Sequence, residues 1–233
     1  MALIEFKNVT KQYFTGLHVI NALDGASFEI NEGEFVVVLG PSGAGKSTML
    51  NLLGGMEKAT SGDIIVDGNN IAKYNDKKLT KYRADEVGFV FQFYNLIPTL
   101  TTLENIELVN DICSNPVKAT EVLDSVGLLD HKYQFPSQLS GGEQQRVSIA
   151  RAIAKNPKVL LCDEPTGELD SDTGVQIFTM LQNLSREQKK TVIIVTHNSS
   201  IAEAADKVIR VKNGKIREVV INDSPKAISE VNW

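Results

Sequence analysis

The chain is poor in the residues that would point to several common functions. Its 233 residues include two cysteines, Cys113 and Cys162, and they have no metal-like spacing. Cys162 sits within the apolar run Val159 to Cys162 and is expected to be a small buried hydrophobe. Basic residues are not in excess: the net charge is −5, so a nucleic-acid partner lacks its electrostatic footprint. Long apolar runs are missing too. FVVVL, VLLC and VIIV are far shorter than the ~20 residues of a membrane-crossing helix, so no direct membrane insertion is expected. Met1-Ala2-Leu3-Ile4-Glu5-Phe6 lacks the charged-then-apolar pattern of a leader and reads as an edge strand, so a cytoplasmic location is expected. No internal repeat or low-complexity stretch is found. What remains is an ordinary globular composition, 42% hydrophobic, at a length that suits one α/β domain.

Against that background two short sequences stand out. GPSGAGKST comprises Gly40, Pro41, Ser42, Gly43, Ala44, Gly45, Lys46, Ser47 and Thr48, and it follows the apolar run that ends at Leu39. A Gly-rich turn between a buried strand and a helix points successive backbone N–H groups at one spot, where a polyphosphate is favoured by the helix N-terminus. Lys46 then reaches the β- and γ-phosphates and the Ser47 hydroxyl ligates Mg²⁺. The second sequence is LSGGEQQ, Leu139 to Gln145. Ser140 and Glu143 have the spacing of a capping box, and Val147, Ala150, Ile153 and Ala154 continue at helical spacing. A capped helix accounts for Ser140 and Glu143. It does not account for Gly141 and Gly142, which weaken a first turn but allow another backbone or a phosphate to approach. The start of this helix therefore reads as a second anion site.

With these two motifs the chain resembles the ATP-binding cassette (ABC) ATPases, in which a signature like LSGGEQQ follows the phosphate loop by about a hundred residues. The family's other motifs occur in order: FVFQ with Gln92, VLLCDE with Asp163 and Glu164, GELD from Gly167 to Asp170, and VIIVTHN with His197. The resemblance implies ATP and Mg²⁺ as ligands. It implies that Asp163 and Gln92 contact the metal beside Ser47, that Glu164 polarises the attacking water, and that His197 contacts the γ-phosphate. It implies that Tyr13 stacks on adenine. It also implies a head-to-tail dimer, a second copy supplying Ser140, Gly141 and Gly142 to the nucleotide on Lys46. Glu168 departs from the family pattern, which usually has a small or amide residue there.

The order of elements agrees with an α/β class: a phosphate-loop NTPase core with a RecA-like parallel sheet, an antiparallel β subdomain and an inserted helical subdomain. Residues 1–92 and 138–233 are expected to form the core with its β subdomain, and 93–137 the helices. Leu79 to Ala84, Leu103 to Cys113, Val117 to Val126 and Val175 to Arg186 have helical spacing. Val87 to Phe91, Val159 to Cys162 and Thr191 to Thr196 read as buried strands, and Thr60 to Asn70 as a hairpin-like piece. Val208 to Val211 and Ile216 to Ile221 read as a hairpin around Asn213-Gly214 with a type I′ turn. The stretch after Gln92, with Phe93, Tyr94, Leu96, Ile97, Pro98 and Leu100, reads as helical and apolar; either these side chains all pack inward, or part of the set lines a groove for a cytoplasmic helix of an integral membrane permease.

The longer motif contexts look like the macrolide-export, lipoprotein-release and antimicrobial-peptide-resistance group. That likeness implies an ATPase subunit, peripheral on the inner face of the membrane, that drives an exporter or extractor of peptides, drugs or lipoproteins. Its alternative is mechanotransmission to a cell-wall enzyme or a sensor of antimicrobial peptides. A soluble repair or translation ATPase would need a coiled-coil insertion or a second cassette, and a phosphate-loop kinase would leave LSGGEQQ unexplained.

Overall fold

Five consecutive apolar residues, Phe35 to Leu39, are all buried, and the fold is built outward from them. The computed structural model describes residues 2–16 and 18–232. Two long strands, β1 (Ala2–Thr15) and β2 (His18–Asn31), lead into β3 (Phe35–Leu39). The chain continues through α1 (Lys46–Leu53), β4 (Ser61–Val66), β5 (Asn69–Asn70), α2 (Asp76–Asp85) and β6 (Val87–Val90). Three helices follow: α3 (Thr102–Glu107), α4 (Ala119–Ser125) and α5 (Gly141–Ala154). The rest is β7 (Val159–Asp163), α6 (Ser171–Gln188), β8 (Thr191–Thr196), β9 (Lys207–Lys212) and β10 (Lys215–Ile221).

Six strands form one sheet in the order β10-β9-β3-β8-β7-β6, parallel except for the antiparallel edge strand β10. Alternate side chains serve two cores. Val36, Val38, Leu161, Ile193 and Val195 pack with α1 and the antiparallel strands, whereas Phe35, Val37, Cys162, Val192 and Ile194 pack with α6. Burial on both faces is why these strands read as unbroken apolar runs. Each such Val, Ile or Phe contributes about 1.5–3 kcal/mol on leaving water. Cys162 is fully buried, and burial pushes its thiol well above the usual range, as expected of an inert core residue.

The second sheet is antiparallel, in the order β2-β1-β4-β5. The edge-strand reading of residues 1–6 is corrected here for its described part; Met1 lies outside the described residues. Ile4 pairs with Ile30 on one side and Val66 on the other, and Phe6 with Phe28 and Ile64. Strand β1 is interior because its apolar residues find a second partner some 60 residues later, which local alternation does not reveal.

A third apolar cluster joins Ile106, Val122 and Leu123 of α3 and α4 to Val147, Ala150 and Ala154 of α5. The helical spacing over Leu103 to Cys113 becomes α3 followed by a 3-10 turn at Leu108–Asp111. The stretch from Phe93 to Leu100 is not helical, which corrects the expectation above. Pro98 has no donor to give a helix. The buried side chain of Asn105 accepts from Ile97 N (2.8 Å) and donates to the carbonyls of Ile97, Leu100 and Thr101. Arg151 donates to the carbonyls of Tyr94 and Asn95. Side chains thus supply the partners that helical backbone would otherwise have provided. Among the described residues no helix is long and apolar enough to cross a membrane.

Candidate functional site

The loop between β3 and α1 is shaped by contacts with two distant segments. A Cβ on Gly40 would lie 2.2 Å from Val211 O, and one on Gly45 would lie 2.2 Å from Ala22 O. Gly45 also has φ of 105°. Only glycine fits both places. The Asn213-Gly214 turn closes on the same loop, Gly214 N donating to Ala44 O at 2.9 Å. Helix α1 starts without a capping side chain and without an acid in its first turn. Its first N–H groups and the positive end of its dipole thus face a cavity of about 640 Å³. Lys46 is 8% exposed, and its Nζ donates to Gly40 O (2.8 Å) and Pro41 O (3.1 Å).

The C-terminal ends of three neighbouring parallel strands open on the other wall, where ligands bind in open α/β sheets. Strand β7 delivers Asp163 and Glu164, β8 delivers His197, and Gln92 follows β6. Ser47 Oγ donates to Asp163 Oδ1 at 3.3 Å. Burial pushes the Asp163 carboxyl up, the Ser47 hydrogen bond opposes that, and the neighbouring Glu164 adds to it. Glu164 Oε2 lies 3.1 Å from His197 Nδ1 and also accepts from His197 N at 3.4 Å. Glu164 takes φ of 46°, a left-handed backbone uncommon for a non-glycine residue.

Ser42, Gly43, Ala44, Gly45, Lys46, Ser47, Thr48, Gln92, Asp163, Glu164 and His197 all line this one cavity. Gly40 and Pro41 do not line it; their carbonyls hold Lys46. Tyr13 is not in the lining either. Its hydroxyl donates to Glu57 Oε2 at 2.6 Å, Lys11 Nζ sits 5.0 Å from its ring centre, and its cross-strand partner Ile20 lines the cavity instead. Ser140, Gly141 and Gly142 stand apart from the cavity. Their glycines have partners within the chain: a Cβ on Gly142 would meet Thr173 Cγ2 at 2.4 Å, and one on Gly141 would meet Tyr94 Oη at 2.9 Å. The lining adds Asn21, Ala22, Asn213 and Gly214, for which sequence offers a single signal, the Asn-Gly turn itself. A smaller cavity of about 270 Å³ beside α2, lined by Val66, Tyr74, Lys78 and Tyr82 among others, shares no lining residue with this one.

Mg²⁺ fits the residues present. Ser47 and Asp163 offer a hydroxyl and a carboxylate in direct contact, both hard oxygen donors. Among the described residues no group of three or more His, Cys, Asp or Glu could hold a metal. A site with so few protein ligands suits an ion that completes its shell with phosphate oxygens and water.

The family described as ABC transporter matches residues 23–167. The ABC transporter ATP-binding protein MG065 of Mycoplasma genitalium is 44% identical over 99% of this chain, and the chain spans 50% of that relative's length. The ABC transporter ATP-binding protein MJ0796 of Methanocaldococcus jannaschii is 45% identical over 92% of this chain and 95% of its own length. The structure of a dimeric post-hydrolysis state of MJ0796 bound to ADP and Pi matches with a TM-score of 0.85 at 43% identity, covering 94% of this chain and 98% of that one. CbiO1 of Clostridium perfringens, part of the ABC transporter complex cbiONQ, matches with a TM-score of 0.83 at 28% identity, covering 94% of this chain and 88% of that one. The chain belongs to the ABC transporter family.

Proposed function

We propose that the chain is an ATP-hydrolysing subunit that works as a head-to-tail dimer on a separate membrane permease. One observation carries this reading: the phosphate loop, the Ser47–Asp163 pair and the Glu164–His197 pair converge on one cavity. Lys46 and the open N-terminus of α1 bind and orient the β- and γ-phosphates. Ser47, Asp163 and Gln92 would hold Mg²⁺, which would supply positive charge to the phosphate oxygens. Glu164 accepts a proton from the attacking water, and His197, held against it, donates toward the γ-phosphate. Tyr13, whose cross-strand partner Ile20 lines the cavity, takes the adenine. Ser140, Gly141 and Gly142 lie off the cavity of their own chain, so a second copy must bring them to the nucleotide. The dimeric MJ0796 structures, one with ADP and Pi, support that arrangement.

Residues 1–92 and 138–233 act as the core and 93–137 as the helical subdomain that meets the permease. Phe93 and Ile97 are exposed there, next to Gln92, and suit a helix from the membrane subunit. On this reading the protein sits on the inner face of the membrane, and its cargo is a peptide, drug or lipoprotein.

Glu164→Gln removes the proton acceptor while leaving the binding loop intact. Hydrolysis should fall about 10²–10⁴-fold, and size-exclusion chromatography should show a stable dimer with ATP. A mutant that stays monomeric at saturating ATP would sink the dimer reading.

A further inference from the structure

One carboxylate outside the pairs already described stands against the cavity wall. Gln92 Nε2 donates to Glu168 Oε1 at 3.0 Å. Gln92 lines the cavity with Ser47 and Asp163, whereas Glu168 is an exposed residue on the loop that follows β7. Gly167 makes the approach possible. A Cβ there would sit 3.2 Å from Gln92 Nε2 and 3.3 Å from Gln92 Cγ, so a larger residue would crowd Gln92 by a few tenths of an ångström.

A glutamine amide has two unlike ends. Its NH₂ only donates, its carbonyl only accepts, and a divalent cation takes only the carbonyl oxygen. An acceptor fixed on Nε2 therefore settles which end is left for the cavity. It also spends in advance some of the rotamer freedom of a long side chain, which would otherwise be lost when a metal binds.

We propose that Glu168 is a positioning residue for Mg²⁺. By holding the NH₂ of Gln92 it presents Gln92 Oε1 to the Ser47–Asp163 oxygen pair, and so strengthens binding of metal-bound ATP rather than of ATP itself. The inference rests on the Mg²⁺–ATP reading given above. A single exposed hydrogen bond of this kind changes affinity roughly two- to tenfold.

The test is equilibrium dialysis of labelled ATP in the Glu164→Gln background, with Mg²⁺ in one arm and EDTA in the other. Glu168→Ala should weaken binding roughly two- to tenfold with Mg²⁺ and leave metal-free binding unchanged, which also shows that the fold is intact. Glu168→Gln keeps an acceptor oxygen and should bind as the parent does. Equal weakening in both arms, no change with Mg²⁺, or a Glu168→Gln variant as weak as Glu168→Ala would each overturn the proposal. If the parent itself binds no ATP with Mg²⁺, the Mg²⁺–ATP reading falls and this inference falls with it.

Discussion

Helices α1 and α5 both begin at glycine-bearing turns, and the two starts are built in opposite ways. At α1 the residue before the helix is Gly45, no side chain caps the N–H groups and no acid sits in the first turn. At α5 the cap is complete. Glu143 N donates to Ser140 Oγ at 3.3 Å, and Ser140 N donates to Glu143 Oε2 at 2.7 Å. Ser140 Oγ also donates to Glu143 Oε2 at 2.9 Å. An open helix start is a standing anion site, whereas a closed one is satisfied by its own chain. The first can bind phosphate within one molecule. For the second to take a ligand through the Ser140 hydroxyl, that hydroxyl must first leave the Glu143 carboxylate. On the proposed dimer, that difference is a physical reason for an order of events: nucleotide first on α1, and the partner's α5 afterwards.

The largest expected effect breaks the open end. Lys46→Ala removes the charge held at the loop and should lower ATP turnover by at least about 10²-fold, read by phosphate release at saturating ATP. A variant with ordinary turnover would mean that the open terminus is not where phosphate binds.

Gly142 sharpens the closed end, because two explanations compete for it. Overpacking against Thr173 should make Gly142→Ala about 1–3 kcal/mol less stable in urea unfolding. Adding Thr173→Ser deletes the opposing methyl and should restore stability; on the proposed head-to-tail dimer, in which Gly142 serves the partner's nucleotide, hydrolysis should stay low. Full recovery of hydrolysis would show that this glycine answers to Thr173 alone.

The smallest effect is on the cap. Glu143→Ala should cost about 1 kcal/mol at neutral pH. Hydrogen bonds from Ser140 N and Oγ hold the Glu143 carboxyl below its usual range. A lowered folded value means that this stability is present above the ordinary value of about 4 and is lost as pH falls through the folded one. Parent and mutant unfolding midpoints should therefore converge on acidification through that window. A gap that persists well below it would assign the cost to packing instead.

Much of the fold was legible because strands buried on both faces leave unbroken apolar runs. β3, β7 and β8 fall where the sequence puts them, as does the Asn213-Gly214 turn, whose φ values of 52° and 73° suit a type I′ turn. What local pattern cannot carry is the identity of a distant partner. Ile4 and Phe6 alternate as an edge strand would, and only Val66 and Ile64 make that strand interior. Phe93 to Leu100 has apolar residues enough for a helix, but the buried Asn105 holds it as a loop through three hydrogen bonds. In the site, residues whose chemistry is explicit (Lys46, Ser47, Asp163, Glu164, His197) were recognisable by type and spacing. Ile20, Asn21 and Ala22 were not, since they line the cavity through the path of β2 alone. Gly142 carries a packing demand from Thr173 that no nearby residue announces.

The pairing of β3 also has a consequence in time. Its two neighbours in the sheet are β8 and β9, Phe35 pairing with Val192 and Val36 with Lys207, and the loop after it is closed by Gly214. A ribosome adding about 5–20 residues per second makes the phosphate-loop motif roughly 10–30 s before Gly214. Until Thr191–Thr196 has been made FVVVL has no strand on either side, and until Gly214 the loop lacks the turn that shapes it. A nascent chain therefore carries the whole phosphate-loop motif well before it can capture a nucleotide, and an exposed apolar strand is its burden for that interval.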